Sequence, residues 1–299
     1  MGKVAFVFSG QGDQYPGMGK ELLSFPAAEG MFALCDEIRP GTLKQCLEGT
    51  EEELKETANT QPCLYAVELS MALALQAAGL KAHAAAGFSL GEIAAAAWAH
   101  LYTPETGFRL VMERGRLMQE AAGKQDTAMA AVLKLSGEQV EELCRKRTDL
   151  YPVNYNCPGQ IAVSGLREEL TPFLADVKAA GGRGVPLKVK GAFHSPFMKE
   201  AAEGFRKVLE NAEFTSPDMD LYSDLTGTLY GENPRELLCR QICSPVQWES
   251  LIQNMISAGV DTFIEIGPGR TLTNLIKKIN PAVTAVTGRE KLEELYADR

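Results

Sequence analysis

The stretch Gly87-Phe88-Ser89-Leu90-Gly91 sets a serine between two glycines, behind small apolar residues and ahead of an alanine-rich run. A G-x-S-x-G pattern suits a nucleophile elbow. A sharp strand-to-helix turn lifts the hydroxyl out, and the flanking glycines avoid side-chain clashes. Backbone N–H groups at the start of the new helix can then stabilise an oxyanion. The same residues also suit an ordinary Gly/Ser turn between a buried strand and a buried helix, and the motif alone leaves both readings open. As a nucleophile, Ser89 would form an acyl-enzyme whose acyl group goes either to water or to another molecule.

A nucleophilic serine needs a base, most often histidine. The chain has three: His83, His100 and His194. His83 precedes Ser89 by six residues on the expected strand, roughly 20 Å away at strand rise. His100 follows by eleven, near the end of the expected helix and roughly 16 Å away. Elimination leaves His194, in Gly191-Ala192-Phe193-His194-Ser195-Pro196; a lone loop histidine is otherwise a solvated one. A hydrolase triad would add an acid between serine and histidine. Asp126, Asp149 and Asp176 fall there, but none ends a strand of the larger domain. A carbonyl oxygen could orient the imidazole instead, because the third group need only accept from the ring N–H.

A charge that could meet an acyl substrate lies in the expected helix 104–122. Its apolar stripe is Phe108, Val111, Gly115, Met118 and Ala122, with Arg109 and Arg116 pointing away and Arg114 on the flank. A partly buried guanidinium suits a carboxylate held bidentately; a salt bridge to a nearby Glu or a snorkelling side chain would serve as well. The glycine loop after the first strand lacks the third glycine of a dinucleotide fingerprint, and Met18 stands where a phosphate loop needs Lys. That loop can still offer a backbone N–H to an oxyanion, with Gln11 as the candidate.

The positioning elements follow. Residues 3–8 read as a buried strand, 61–79 as a helix stopped by Gly79, 82–87 as a tight strand, and 91–100 and 104–122 as helices. Residues 127–190 read β-α-β-β-α-β, a ferredoxin-like unit ending in the strand GVPLKVK. Residues 262–279 return to strand, glycine turn and helix. The expected fold is α/β: a large α/β-hydrolase-like domain over 1–125 and 191–299 with a mostly parallel sheet, and an inserted ferredoxin-like domain over 126–190.

Composition narrows the classes. The 299 residues are 45% hydrophobic, enough for a large core plus a smaller one. Net charge −9 argues against nucleic acid as the main partner. No apolar run reaches membrane-spanning length, and the N-terminus reads as a strand rather than a signal peptide or myristoylation site. Seven cysteines without a C-x-x-C pair argue against a disulfide framework or a metal site and fit a reducing cytoplasm.

Taken together, FSGQGDQYPGMG (8–19), TQP (60–62), GFSLGE (87–92), ERGRLMQ (113–119), NYNCPGQIAVSG (154–165), GAFHSPFM (191–198), SPVQW (244–248) and EIGPG (265–269) resemble malonyl-CoA:acyl carrier protein transacylases and the acyltransferase domains of polyketide and fatty-acid synthases. They run in the family's order over nearly the whole chain. The resemblance implies Ser89 as nucleophile, His194 as base, and the backbone carbonyl of Gln247 in place of an acid. It implies an oxyanion hole from the Leu90 and Gln11 N–H groups, and Arg114 as the partner of the malonyl carboxylate. Gln61 is similar to a site-lining glutamine, and Asn154 and Asn156 match a segment facing the cleft. Phe193 and Leu90 resemble the malonyl-selective variants. Phe88 departs from the family, where most relatives have a histidine that is not the base.

The implied activity is malonyl transfer from malonyl-CoA to acyl carrier protein through a malonyl-serine, for fatty-acid or polyketide synthesis. The thioester is substrate, and neither cofactor nor metal is expected. The alternative is a serine thioesterase or esterase using the same Ser89 and His194. A cytoplasmic monomer is expected. An acidic carrier protein would need a local basic patch on this acidic chain, for which Lys188, Lys190 and Arg183 are candidates; the solvated face of an edge strand explains them equally well.

Overall fold

In the computed structural model, residues 2–187 and 189–297 are described. In chain order the elements are β1 (Lys3–Phe8), α1 (Pro26–Ile38), α2 (Thr42–Glu48), α3 (Glu51–Lys55), α4 (Thr57–Ala77), β2 (Ala84–Gly87), α5 (Leu90–Trp98) and α6 (Pro104–Ala122). Next come β3 (Thr127–Leu133), α7 (Gly137–Arg145), β4 (Leu150–Cys157), β5 (Gln160–Leu166), α8 (Arg167–Ala179) and β6 (Arg183–Pro186). The chain closes with α9 (Lys199–Glu210), β7 (Asp220–Tyr222), α10 (Pro234–Gln241), α11 (Trp248–Ser257), β8 (Val260–Ile266), α12 (Thr271–Ile279), β9 (Thr284–Thr287) and α13 (Gly288–Ala297).

The apolar runs of β1 and β2 become strands covered on both faces, as a parallel sheet between helices requires. Ala5 to Phe8 and Ala84 to Ala86 have no exposed surface. The larger sheet has the order β7-β2-β1-β8-β9, and all its pairings are parallel. From β1 the chain goes first to one side and later, through β8, to the other. The carboxyl end of β1 is therefore the point where strand order reverses, and a crevice opens there.

Close packing at that end explains the two glycines of the serine motif. A Cβ on Gly87 would lie 2.0 Å from the Gly91 carbonyl carbon, and one on Gly91 would lie 2.3 Å from the Phe8 carbonyl oxygen. The turn thus sits directly on the end of β1, with the Phe88 N–H donating to Phe8 O at 3.0 Å.

The second sheet is antiparallel, in the order β4-β5-β3-β6. It is backed by α7 and α8 around Phe173, Val140 and Val163. It meets the larger domain through a short bridge: Tyr155 N–H donates to Val246 O, and Val246 N–H to Val153 O, both at 2.9 Å.

Two expected elements differ in extent. The helix expected from 61 begins at Thr57, so Pro62 lies inside it rather than near its first turn. The strand expected through 190 ends at Pro186; Lys188 lies outside the described residues. No described helix is long and apolar enough to cross a membrane.

Candidate active site

Four segments converge on one cleft of about 270 Å³ at the end of β1. The β1–α1 connection supplies Gln11, the β2–α5 turn Ser89 and Leu90, α6 supplies Arg114, and the connection after β6 supplies Phe193 and His194.

Ser89 takes φ 55° and ψ −103°, a conformation L-residues avoid, directly before α5. A non-glycine residue held there is strained, at a cost of about 1–3 kcal/mol that its surroundings must offset. The strain turns Oγ toward the cleft, where His194 Nε2 lies 2.7 Å away. His194 also has positive φ, 60°, and its loop is pinned by Ser195 Oγ donating to Ala192 O at 2.6 Å and Ser164 Oγ donating to Phe193 O at 3.1 Å. The smaller sheet thus holds the histidine of the larger domain's site through β5.

Gln241 O lies 2.9 Å from His194 Nδ1. A carbonyl only accepts, so Nδ1 carries the proton and Nε2 is left to accept from the serine hydroxyl. Here the expectation for Gln247 is corrected. Gln247 O is engaged by the Leu251 N–H at 2.9 Å and the Ser250 hydroxyl at 3.1 Å at the start of α11. Gln241, at the end of α10, takes the orienting place.

Burial, reinforced by the Arg114 charge, pushes the His194 imidazole down to about 4. It is therefore neutral at physiological pH and able to take a proton from Ser89. The other two histidines, His83 and His100, are occupied away from the cleft. His83 Nδ1 accepts from the Val4 N–H at 3.1 Å, and His100 pairs with Asp218 at 2.7 Å.

Arg114 is fully buried. Its Nη2 donates to Ser89 Oγ at 3.2 Å and to Gln241 Oε1 at 2.7 Å, while Nε and Nη1 have no partner. Burial lowers its pKa to about 10, so it remains a cation. Among the described residues no Glu or Asp takes a direct hydrogen bond from it, which removes the local salt bridge as the reason for its burial. A cation with two unpartnered nitrogens on a cleft, Nε and Nη1, is the partner an anionic acyl tail requires.

Leu90 and Gln11 both line the cleft. Leu90 opens α5, where the first N–H groups have no intrahelical partner. Gln61 Oε1 and Asn156 Oδ1 are buried on the cleft wall without partners, and Asn154 and Phe193 line it too. Phe88 packs edge-on against Trp248, with ring centroids 5.4 Å apart, and its ring closes the wall beside Gly10. Arg183 and Lys190 are exposed. No group of three or more His, Cys, Asp or Glu among the described residues could hold a metal ion.

Sequence reasoning missed Gln241 and Asp224. Asp224 lies in the turn after β7, and its Oδ2 accepts the Ser89 N–H at 2.5 Å. Neither residue belongs to a motif that announces chemistry.

Residues 5–288 match the acyl transferase domain family. The chain is similar to the malonyl CoA-acyl carrier protein transacylase of Bacillus subtilis (strain 168), 38% identical over 98% of this chain and 96% of the relative. Its structure is similar to the crystal structure of a malonyl CoA-acyl carrier protein transacylase from Clostridium perfringens, with TM-score 0.94, 35% identity and coverage of 99% and 98% of the two chains. It is equally similar, at TM-score 0.94 and 33% identity over 99% of this chain and 100% of the other, to a malonyl-transacylase solved in complex with a type II PKS acyl-carrier protein.

Proposed function

The chain belongs to the acyl transferase domain family, and from that premise we propose that Ser89, His194 and Arg114 carry out its reaction. It is an acyl-carrier-protein S-malonyltransferase: it moves a malonyl group from malonyl-CoA to acyl carrier protein, for fatty-acid or polyketide synthesis. The observation that carries the site assignment is the chain of contacts Arg114 Nη2, Ser89 Oγ, His194 Nε2, at 3.2 and 2.7 Å.

In the proposed first half-reaction, His194 Nε2 takes the Ser89 proton as Oγ attacks the thioester carbonyl. The oxyanion is met by the Leu90 and Gln11 N–H groups. The tetrahedral adduct collapses, the C–S bond breaks, and the His194 proton leaves with the CoA thiol. In the second half, the phosphopantetheine thiol of the carrier protein gives its proton to His194 and attacks the malonyl-serine carbonyl; the adduct collapses, the C–Oγ bond breaks, and the proton returns to Ser89 Oγ. Arg114 binds the malonyl carboxylate through its open N–H groups. Gln61 and Asn156 offer polar contacts to the acyl chain, and Phe193 closes the apolar side. The peptide carbonyl of Gln241 keeps the imidazole in the correct tautomer.

This reading divides the chain into 1–125 with 191–299, and 126–190. It uses the CoA thioester as substrate and no separate cofactor. It takes the enzyme as a cytoplasmic monomer that binds neither nucleic acid nor a membrane, in keeping with net charge −9 and seven unpaired cysteines. The test is incubation with malonyl-, acetyl- and methylmalonyl-CoA followed by intact-mass measurement of the enzyme. A malonyl adduct on the wild type that is absent from Ser89→Ala is expected. Free malonate released rapidly without a thiol acceptor would instead identify a thioesterase.

A further inference from the structure

Beneath the nucleophile lies a buried polar layer that the transfer chemistry does not use directly. Glu92 and Asp224 have no exposed surface, and Gln241 almost none. The Gln241 amide donates to Ser89 O at 2.6 Å and to Glu92 Oε2 at 2.8 Å. The Tyr230 hydroxyl donates to Glu92 Oε1 at 2.5 Å. Asp224 Oδ2 accepts the Ser89 N–H. Asp224 is itself fixed by its backbone, whose carbonyl accepts the Gln247 N–H at 2.6 Å.

We propose that Asp224 is a positioning residue for the nucleophile: together with the Gln241 amide it grips the N–H and C=O of Ser89 and holds the strained turn that aims Oγ at His194. The clamp comes from chain segments 135 and 152 residues away, on neither β2 nor α5. An unconstrained serine would relax from φ 55° toward a commoner conformation and swing Oγ off the imidazole. Gln241 links the clamp to the rest of the site. Its carbonyl orients His194 and its Oε1 holds Arg114, so nucleophile, base and cation share one reference point.

The clamp works with Asp224 as a neutral acid. The ionisable groups facing it are Glu92 from α5, Arg114 from α6 and, across Glu92, Tyr230. Burial first, then the Glu92 charge, push the Asp224 carboxyl well above the usual carboxylate range, against the Ser89 N–H and Arg114. Asp224 Oδ2 accepts from Ser89 and needs no negative charge to do so, and Oδ1 has no hydrogen-bond partner. Asparagine reproduces that state: one oxygen acceptor and no charge.

The inference rests on Ser89 being the nucleophile. Its test measures the rate of malonyl-Ser89 formation by rapid-quench intact mass for the wild type, Ser89→Ala, Asp224→Ala and Asp224→Asn, with thermal unfolding of each. Asp224→Ala orphans the buried Ser89 N–H and is expected to slow acylation by about 10- to 100-fold, with KM for malonyl-CoA within about twofold. Asp224→Asn recovers most of that loss. It also flattens the pH dependence of stability. The wild type takes up a proton at Asp224 on folding at any pH above the ordinary carboxylate value and below the raised one. Its stability therefore falls as pH rises through that window, and the asparagine variant has no such proton to bind.

A folded Asp224→Ala that acylates at the wild-type rate overturns the clamp, as does an Asp224→Asn that is as slow as the alanine variant. If Asp224→Ala does not fold, Asp224→Asn alone decides: acylation within about tenfold of wild type supports the clamp, and a larger loss overturns it. An adduct that survives Ser89→Ala refutes the nucleophile assignment itself, a different failure from an intact rate in Asp224→Ala.

Discussion

Arg114→Ala separates recognition of the acyl group from the chemistry performed on it. In the wild type Arg114 lines the cleft and offers its unpartnered Nε and Nη1 to a carboxylate there. Losing one partner of such a desolvated charge pair costs about 2–5 kcal/mol, so kcat/KM for malonyl-CoA should fall by ~30- to 4,000-fold. Acetyl-CoA has no carboxylate. It should lose only what the Nη2 bond to Ser89 Oγ contributes, about 1 kcal/mol or fivefold.

The same substitution has a second consequence. Arg114 Nη2 and His194 Nε2 both touch Ser89 Oγ, which places them within about 6 Å of each other. At an effective dielectric near 20, two unit charges at that distance interact by ~3 kcal/mol, up to ~2 pKa units on the imidazole. Removing the cation should therefore raise the His194 value from about 4 toward its ordinary range. Measured with acetyl-CoA between pH 4 and 8, the acid limb of kcat/KM should move upward in Arg114→Ala by about one unit or more. Equal losses on the two substrates would refute the carboxylate role, and an unmoved acid limb would refute the electrostatic coupling.

Other outcomes follow from the same geometry. In the wild type the acid limb of kcat/KM should lie near pH 4, because a protonated His194 cannot accept the Ser89 proton; stability should also fall as pH drops below the ordinary histidine value, since the unfolded chain binds a proton that the folded site excludes. His194→Ala should slow Ser89 acylation by ~10²- to 10⁴-fold with near-normal unfolding, read by the same quench assay. Gly91→Ala forces a Cβ to 2.3 Å from Phe8 O, and urea denaturation should find it destabilised by about 1–3 kcal/mol or unable to fold. Phe88→Ala removes a ring packed on Trp248 and should cost about 2 kcal/mol in the same measurement, with the m-value unchanged.

Parts of the site left a local signal in the sequence, and the rest did not. Ser89 stood out because a close strand-to-helix crossing needs glycine on both sides. His194 stood out because histidine is scarce and rigid elements kept the other two away. Arg114 fell on the flank of a helical stripe, which periodicity cannot separate from a snorkelling position; only its burial and its partnerless nitrogens do so. The orienting carbonyl leaves no such signal, because a backbone acceptor imposes no side-chain type: the match to SPVQW points to Gln247, and the carbonyl in place belongs to Gln241, six residues earlier. Asp224 was silent for a related reason: its partner is a backbone N–H 135 residues away, and such a contact exists only once β7 has paired with β2. The parallel sheet was legible from its continuous apolar strands, whereas the start of α4 was hidden by Pro62, which reads as a first-turn residue.

The most direct test of a serine-borne malonyl transfer is a two-step mass measurement. The enzyme is incubated with malonyl-CoA, freed of it, and then mixed with phosphopantetheinylated acyl carrier protein. The account predicts one malonyl group on the enzyme, absent from Ser89→Ala, that moves stoichiometrically to the carrier protein thiol. A label that persists in Ser89→Ala, or that leaves as free malonate while the carrier protein stays unmodified, would contradict it.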